Sequence, residues 1–577
     1  MNRSMVRSLP QLELREKTIC LGCTIYKWTR AQTDEDGVEG GANQKLQPPL
    51  NRKLQLLSLG KHSYLKTCAT IGAFGSPESS GSGDGNNSSN NGGGSNPDFS
   101  RISLILKITK PNSMEQSSAS PHVLIFPLPV QGPIKCMLKL AELLCLAPDL
   151  HVTFLNTDHN HRRLLLYTDI QSRFATFPQF RFETISDGLP EDHPRFGDRF
   201  MDLFDSLETV TKPLFKEMLS SGIGRPVTCI IADGVLNFSF EIAEEVGIPL
   251  MYFDTISPCG LWTYFCVRKL IDAGELPFQG DDLDAPIKCV PGMEGFLRRR
   301  DLPNFCRVGD LNDPVTKIIM KEVQQVPRAR GLILNTFEEV DEPVLSHMRS
   351  LCPNLYPIGP LHTHLKMKLA TEPTPPGPQQ ASSSGLWQED RCCLKWLDAQ
   401  PPKSVIYVSI GSLAMMTSDQ VMEFWHGLFM PGGDWEGQIP KEVLEATAER
   451  GWLVSWAPQE EVLAHPAIGG FLTHSGWNST LESMVEGVPM VCWPYFVDQQ
   501  VNSRFVSEVW KLGIDMKDTC DRAVIEKMIK DVMDLRRDEF VVSADRIAKL
   551  ARESVSEGGL SSCNLERLIE DIRLMKM

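Results

Sequence analysis

The chain runs twice through an alternation of short apolar segments and amphipathic ones. Residues 122–127 (HVLIFP) form an apolar run with no helical period that ends in a Pro/Gly turn, which predicts a buried parallel strand. Residues 134–145 (IKCMLKLAELLC) follow with the spacing of an amphipathic helix. Strands are predicted again at 151–156 and 227–232, with a helix at 237–246. After a Pro/Ser/Gly-rich stretch at 372–385, a second series opens with a strand at 404–409 and continues with strands at 452–455, 469–473 and 489–493. Strand–helix alternation of this kind builds a parallel sheet with helices on both faces. Two such α/β units joined by a linker face each other across a cleft, with the C-terminal ends of both strand sets lining it.

The chain is long enough, at 577 residues, for two such cores. A formal net charge of −15 argues against a general nucleic-acid binder, whose phosphate contacts need a basic surface. No apolar run reaches the roughly 18 residues that span a bilayer, and the longest, 261–271, is interrupted by Arg268 and Lys269. Most of the 16 cysteines, such as Cys136, Cys229 and Cys492, sit in apolar runs and read as reduced, buried thiols. Cys20 and Cys23 form one lone C-x-x-C with nothing to complete a zinc set. A reducing, cytoplasmic setting is expected.

Residues 1–113 differ from the rest. Positions 75–97 are almost all Gly, Ser, Asn, Pro, Asp and Glu, too polar to offset their chain entropy. This extension is expected to be largely disordered and dispensable for folding and activity. Its basic first 30 residues lack an apolar signal core, so plastid targeting is an alternative but a secretory signal is not. The expected organisation is a first α/β domain at 114–360, a linker at 361–390, a second α/β domain at 391–560, and a helix at 561–577 that returns to the first domain.

Residues from Trp456 to Gln499 carry the chemistry. Trp456, Gln459, His474, Gly476, Trp477, Asn478, Ser479, Glu482, Asp498 and Gln499 stand in the register of the signature box of plant family-1 UDP-glycosyltransferases. The chain resembles that family from about Met114 onward, and Met114-Glu-Gln-Ser resembles an ordinary family start. The resemblance implies a GT-B-like fold of two doubly wound, Rossmann-like domains, and UDP-glucose as donor substrate without metal or cofactor. It also implies a small-molecule acceptor and a monomer. The segment LPEDHPR and the Q-G-P turn resemble the branch containing 7-deoxyloganetate glucosyltransferases, which act on iridoid aglycones. Flavonoids, other phenolics and carboxylic acids stay open as acceptors.

The residues make physical sense as a donor site. A helix opening near Trp477 after strand 469–473 offers unpaired N–H groups and partial positive charge, which suits a diphosphate. His474, Asn478 and Ser479 add donors. Glu482, one turn on, can accept from two ribose hydroxyls, and Trp456 offers a face for uracil. Asp498 and Gln499 can hydrogen-bond sugar hydroxyls, and by resemblance Gln499 favours glucose over galactose. Gly411 and Ser412 close the first strand of this domain near the phosphates, and Ala457 completes the set. Singly, each residue reads as well as a core aromatic, a strand cap or a solvated helix residue. Ten in fixed register do not. A nicotinamide site would need G-x-G-x-x-G after a first strand, where the turns instead read PVQGPIKCM and IGSLAMM.

Two departures stand against the resemblance. The family's general base is a histidine in a Q-G-H turn, oriented by an aspartate; here the turn is Gln131-Gly132-Pro133, and Asp233 is the matching aspartate. His122 begins the strand, far from the cleft. His159 and His161, in the expected loop after strand 151–156, are the remaining base candidates. Without the histidine, acceptors that ionise easily are expected to react best. The second departure is a strand missing near residue 430: helices at 418–428 and 440–449 have only a Gly/Pro loop between them. In a doubly wound sheet the second strand lies between the first and third, so its loss leaves an interior gap. The alternative to an active enzyme is therefore a catalytically impaired sugar-nucleotide-binding paralogue, or a mispredicted gene product.

Overall fold

A computed structural model describes residues 23–27, 120–307, 312–371, 385–429 and 450–575. Its strands, in chain order, are β1 (Cys23–Lys27), β2 (His122–Phe126), β3 (His151–Thr157), β4 (Phe180–Ile185), β5 (Cys229–Asp233), β6 (Leu250–Asp254), β7 (Gly331–Leu334), β8 (Leu355–Pro357), β9 (Val405–Ser409), β10 (Gly451–Val454), β11 (Ile468–Thr473), β12 (Met490–Cys492) and β13 (Gly513–Asp515).

The first lobe is a seven-stranded sheet in the order β4-β3-β2-β5-β6-β7-β8, parallel throughout. Its strands are apolar on both faces, and successive residues enter two different cores. Leu124, Phe126, Ile230, Ala232 and Tyr252 point to one face, while Val123, Ile125, Cys229, Ile231 and Met251 point to the other. That period of two explains why 122–126 carries no amphipathic signal: helices cover both sides. The C-terminal helix Leu560–Leu574 packs on β8, and its Leu565, Leu568 and Ile572 join the second of these cores. Tyr356 on β8 donates to Asp571 at 2.6 Å. Within the stretch read as a linker, Leu361–Thr371 is a helix.

The first helix opens at Gln131, three residues before its predicted start. Pro133 sits in the first turn, where a missing N–H leaves no intrahelical bond unmade. His159 and His161 lie on the helix Asp158–Tyr167 rather than in a loop; Thr157 caps it by accepting from the Asn160 N–H at 3.3 Å.

The second lobe takes in one short segment of the N-terminal extension, β1. Its sheet runs β10-β1-β9-β11-β12-β13. β9, β11, β12 and β13 are parallel, but β1 lies antiparallel between β9 and β10. Ile25 faces Tyr407 on one side and Trp452 on the other. The segment near 430, where no second strand was expected, lies outside the described residues; in the sheet, β1 occupies the place between β9 and β10. Positions 75–97 and the helix expected at 440–449 lie outside the described residues. No helix among the described residues is long and apolar enough to cross a membrane.

Candidate functional site

A cavity of about 1320 Å³ opens where the C-terminal ends of both strand sets meet. Its lining includes Leu128 after β2, Asp233 and Val235 at β5, Asp254 to Ile256 at β6, Ser409 and Gly411 to Ala414 at the end of β9, Trp456 after β10, and His474 and Gly476 to Asn478 after β11. That volume exceeds an ordinary single-ligand pocket, roughly 300–1,000 Å³, and accommodates two ligands side by side.

The helix Trp477–Glu486 begins at the cavity wall, with Gly476 at its N-cap and no side chain capping it. Its first N–H groups face the cavity and suit an anion. His474, just before it, packs against Gly411, whose φ is +81°; a Cβ there would lie 2.5 Å from His474 Nε2. Glycine is therefore required at 411 both for the turn and for the close approach. Burial pushes the His474 imidazole down to about 4, so the ring is neutral.

Glu482 is held from two sides. Lys135 donates to Oε1 at 2.7 Å across the cleft, and Gln459 Nε2 donates to Oε2 at 2.8 Å. Each oxygen keeps a lone pair for a further donor. Burial works against the Lys135 charge, but Glu460 and Glu482 outweigh it and hold the ammonium well above its usual range. Gln459 Nε2 also reaches Ser479 Oγ at 2.9 Å. Trp456 stacks on Trp387 with ring centroids 4.5 Å apart, which fixes its plane at the cavity wall. Gln499 uses its amide oxygen to accept from the Tyr495 and Phe496 N–H groups, at 2.8 and 3.1 Å. Its NH₂ group remains available as a donor.

Not every predicted residue faces the cavity. Gly411, Ser412, Trp456, Ala457, Gln459, His474, Gly476, Trp477, Asn478, Ser479, Glu482 and Gln499 all line it. Asp498 is not among the lining residues: its carboxylate accepts from the Ser257 N–H at 3.1 Å and from Asn502 Nδ2 at 2.8 Å. In this arrangement it ties the two lobes together. Asn478 is also shared between lobes, donating to the Gly132 carbonyl at 3.1 Å and accepting from Asn335 at 3.4 Å.

On the acceptor side, Pro133 and Asp233 both line the cavity. Asp233 accepts from Thr255 Oγ1 at 3.0 Å and from the Val235 N–H at 3.3 Å. Burial, reinforced by Asp254, pushes its carboxyl up to about 7. His159 and His161 are not brought to the cavity. His159 Nδ1 lies 3.5 Å from Glu191, and His161 packs on Phe182. His122 is buried at the opposite end of β2, 2.7 Å from Thr153 Oγ1. Sequence reasoning missed Lys135, Asn335, Asp254, Tyr264 and Glu322. Lys135, one turn after Gln131-Gly132-Pro133, and Glu322, an acid on an apolar helical face, carried a local signal.

Comparison with known proteins settles the family. The description "UDP-glucoronosyl and UDP-glucosyl transferase" matches residues 385–543. A 7-deoxyloganetic acid glucosyltransferase of Catharanthus roseus is 54% identical over 479 residues, covering 80% of this chain and 98% of that protein. The chain belongs to this family. A myricetin 3-O-rhamnoside 1,2-glucosyltransferase of Crocosmia x crocosmiiflora is 43% identical, with 80% of this chain and 98% of that one covered. Among solved structures, Os79 from O. sativa in complex with UDP aligns with a TM-score of 0.64 at 25% identity, covering 78% of this chain and 100% of that one. A UDP-glucose: anthocyanidin 3-O-glucosyltransferase in complex with UDP aligns at 0.65, also at 25% identity, covering 78% and 99%. The chain is therefore a UDP-glycosyltransferase of GT-B fold that takes a UDP-sugar and a small-molecule acceptor.

Proposed function

We propose that this enzyme transfers glucose from UDP-glucose to a hydroxyl of a small iridoid or related terpenoid, with inversion at the anomeric carbon. The diphosphate rests on the N-terminus of the helix Trp477–Glu486 with His474 and Gly411 beside it. Glu482 accepts from the ribose hydroxyls, Trp456 carries uracil, and the Gln499 amide donates to the sugar. The acceptor oxygen attacks C1 of glucose. The C1–O bond to the diphosphate breaks, UDP leaves with the electron pair, and the acceptor proton passes to Asp233.

One observation carries this reading. Asp233, at the end of β5, lines the same cavity as the donor residues and as Pro133. With its carboxyl raised to about 7, it is a stronger base than an ordinary aspartate while still half ionised near neutral pH. Support for the acceptor class comes from the Catharanthus roseus relative, whose name gives 7-deoxyloganetic acid as its substrate. The second reading, a protein that binds sugar nucleotide without catalysis, rests on Pro133 at the usual base position.

The test is incubation with UDP-glucose and a panel of an iridoid alcohol, a flavonol and an aliphatic acid, with products separated by mass. A β-glucoside of the iridoid hydroxyl is expected. UDP binding without glucoside formation from any acceptor would leave the non-catalytic reading.

A further inference from the structure

Beside Asp233, the cavity has a second polar feature that the donor chemistry does not use. Val315, Ile318, Ile319 and Glu322 recur at the spacing of one face of the helix Pro314–Gln325, and all four line the cavity. Three are apolar and one is a carboxylic acid, buried to 1% exposure. Asp254, at the end of β6, is also buried and lies close enough to Glu322 for the two carboxyls to share a proton. Both pack under the turn that bears Asp233: a Cβ at Gly234 would lie 2.3 Å from Glu322 Oε1 and 3.1 Å from Asp254 Oδ2.

Apart from that mutual contact, Asp254 Oδ2 and Glu322 Oε2 have no partner among the described residues. Tyr264 supplies a third, independent observation. Its hydroxyl is buried, unpartnered and on the lining of the same cavity. Buried polar groups are nearly always satisfied, and leaving three orphans together is costly. The charged groups that bear on the pair are carboxyls as well: Asp498 on Asp254, and Asp233 on Glu322. The floor therefore repels an anion.

We propose that Asp254, Glu322 and Tyr264 form a recognition floor that takes a neutral hydroxyl of the acceptor, remote from the one being glucosylated. Such a hydroxyl donates to Asp254 and accepts from Tyr264, so both orphans are satisfied at once. A carboxylate placed there meets like charge and is rejected. An acid-bearing acceptor binds only with its carboxylate turned away from this floor. The preference for easily ionised acceptors that Pro133 suggested is thereby reversed for any group seated here. This inference rests on the glucosyltransferase reading above.

The experiment uses the full chain with UDP-glucose and three phenols of matched shape: 4-methylphenol, 4-hydroxybenzyl alcohol and 4-hydroxybenzoate, counting only phenolic glucosides. In the natural protein, kcat/KM should fall in the order hydroxymethyl, methyl, carboxylate. Tyr264→Phe should reduce the hydroxymethyl-over-methyl ratio about tenfold, mostly through KM, as loss of a hydrogen bond predicts. Asp254→Asn with Glu322→Gln should raise the carboxylate-over-methyl ratio at least about tenfold. UDP affinity by calorimetry, which this floor does not touch, reports that the variants are folded. Ratios unchanged within about twofold in both variants, at natural UDP affinity, would overturn the proposal. Should no phenol be glucosylated although UDP binds, the transfer reading fails on its own. Equilibrium binding of the same three phenols to the UDP-bound protein then reads the floor directly, with the same order expected and equal binding overturning it.

Discussion

Removing residues 1–113 should damage the donor lobe, because β1 is an interior strand of its sheet. Four residues of β9 and four of β10 are paired to β1. β9 is buried along its whole length, so its newly opened edge strands about four backbone groups in poor contact with water. At about 1 kcal/mol each, the low end for an unsatisfied buried group, β9 alone loses about 4 kcal/mol. That is a large share of the 5–15 kcal/mol typical of a folded domain. For a lobe of this size it corresponds to a fall in melting temperature of about 10 °C. The consequence extends to function. Among the described residues β10 joins its sheet through β1 alone, and Trp456 and Gln459 follow β10 directly. A chain starting at Met114 should therefore melt earlier and bind UDP more weakly, and Ile25→Pro should move both measurements the same way. Calorimetric melting within about 2 °C of the full chain, with UDP affinity within twofold, would refute the reasoning.

Three further outcomes follow from the same geometry. Glu482→Ala should weaken UDP binding by about 1–3 kcal/mol, since the ribose hydroxyls lose a charged acceptor; unchanged affinity by calorimetry in a folded variant removes Glu482 from the site. Pro133→His should raise the rate for aliphatic alcohols more than for acidic phenols, because it supplies a second base where proton removal is hardest; equal gains across the acceptor series contradict this. The rate should also climb with pH through about 7 as Asp233 loses its proton. Stability should run the other way. The folded-state pKa of Asp233 lies above its unfolded value, so the native state binds more protons between about 4 and 7 and loses that advantage as pH rises. Urea melts at pH 5.5 and 8 check the sign.

The parallel strands and the residues of the candidate donor site were legible because each rests on local pattern. Doubly buried strands such as HVLIF declare themselves by an apolar run between turns, and the box from Trp456 to Gln499 holds its register within one stretch of chain. The strand β1 was not legible: CTIYK has the β-branched and aromatic residues of a strand, but nothing local says that it pairs with residues far along the chain. The bonds of Asp498 were not legible because its partners, Ser257 and Asn502, come from two elements that meet only in the folded protein. Asp254 and Tyr264 were invisible for that reason too, while Glu322 left a trace as one acid on an otherwise apolar helical face.

The most direct test of the account is the single-turnover rate of Asp233→Asn against the natural protein, with UDP-glucose saturating and an iridoid alcohol as acceptor. The amide keeps the shape of the side chain and its bond from Thr255 but cannot take a proton. The account predicts a rate lower by about 10²–10⁴ with UDP affinity unchanged, and loss of the rise in rate near pH 7. A rate within about threefold of the natural protein, with the pH profile intact, would contradict the assignment of Asp233 as the base.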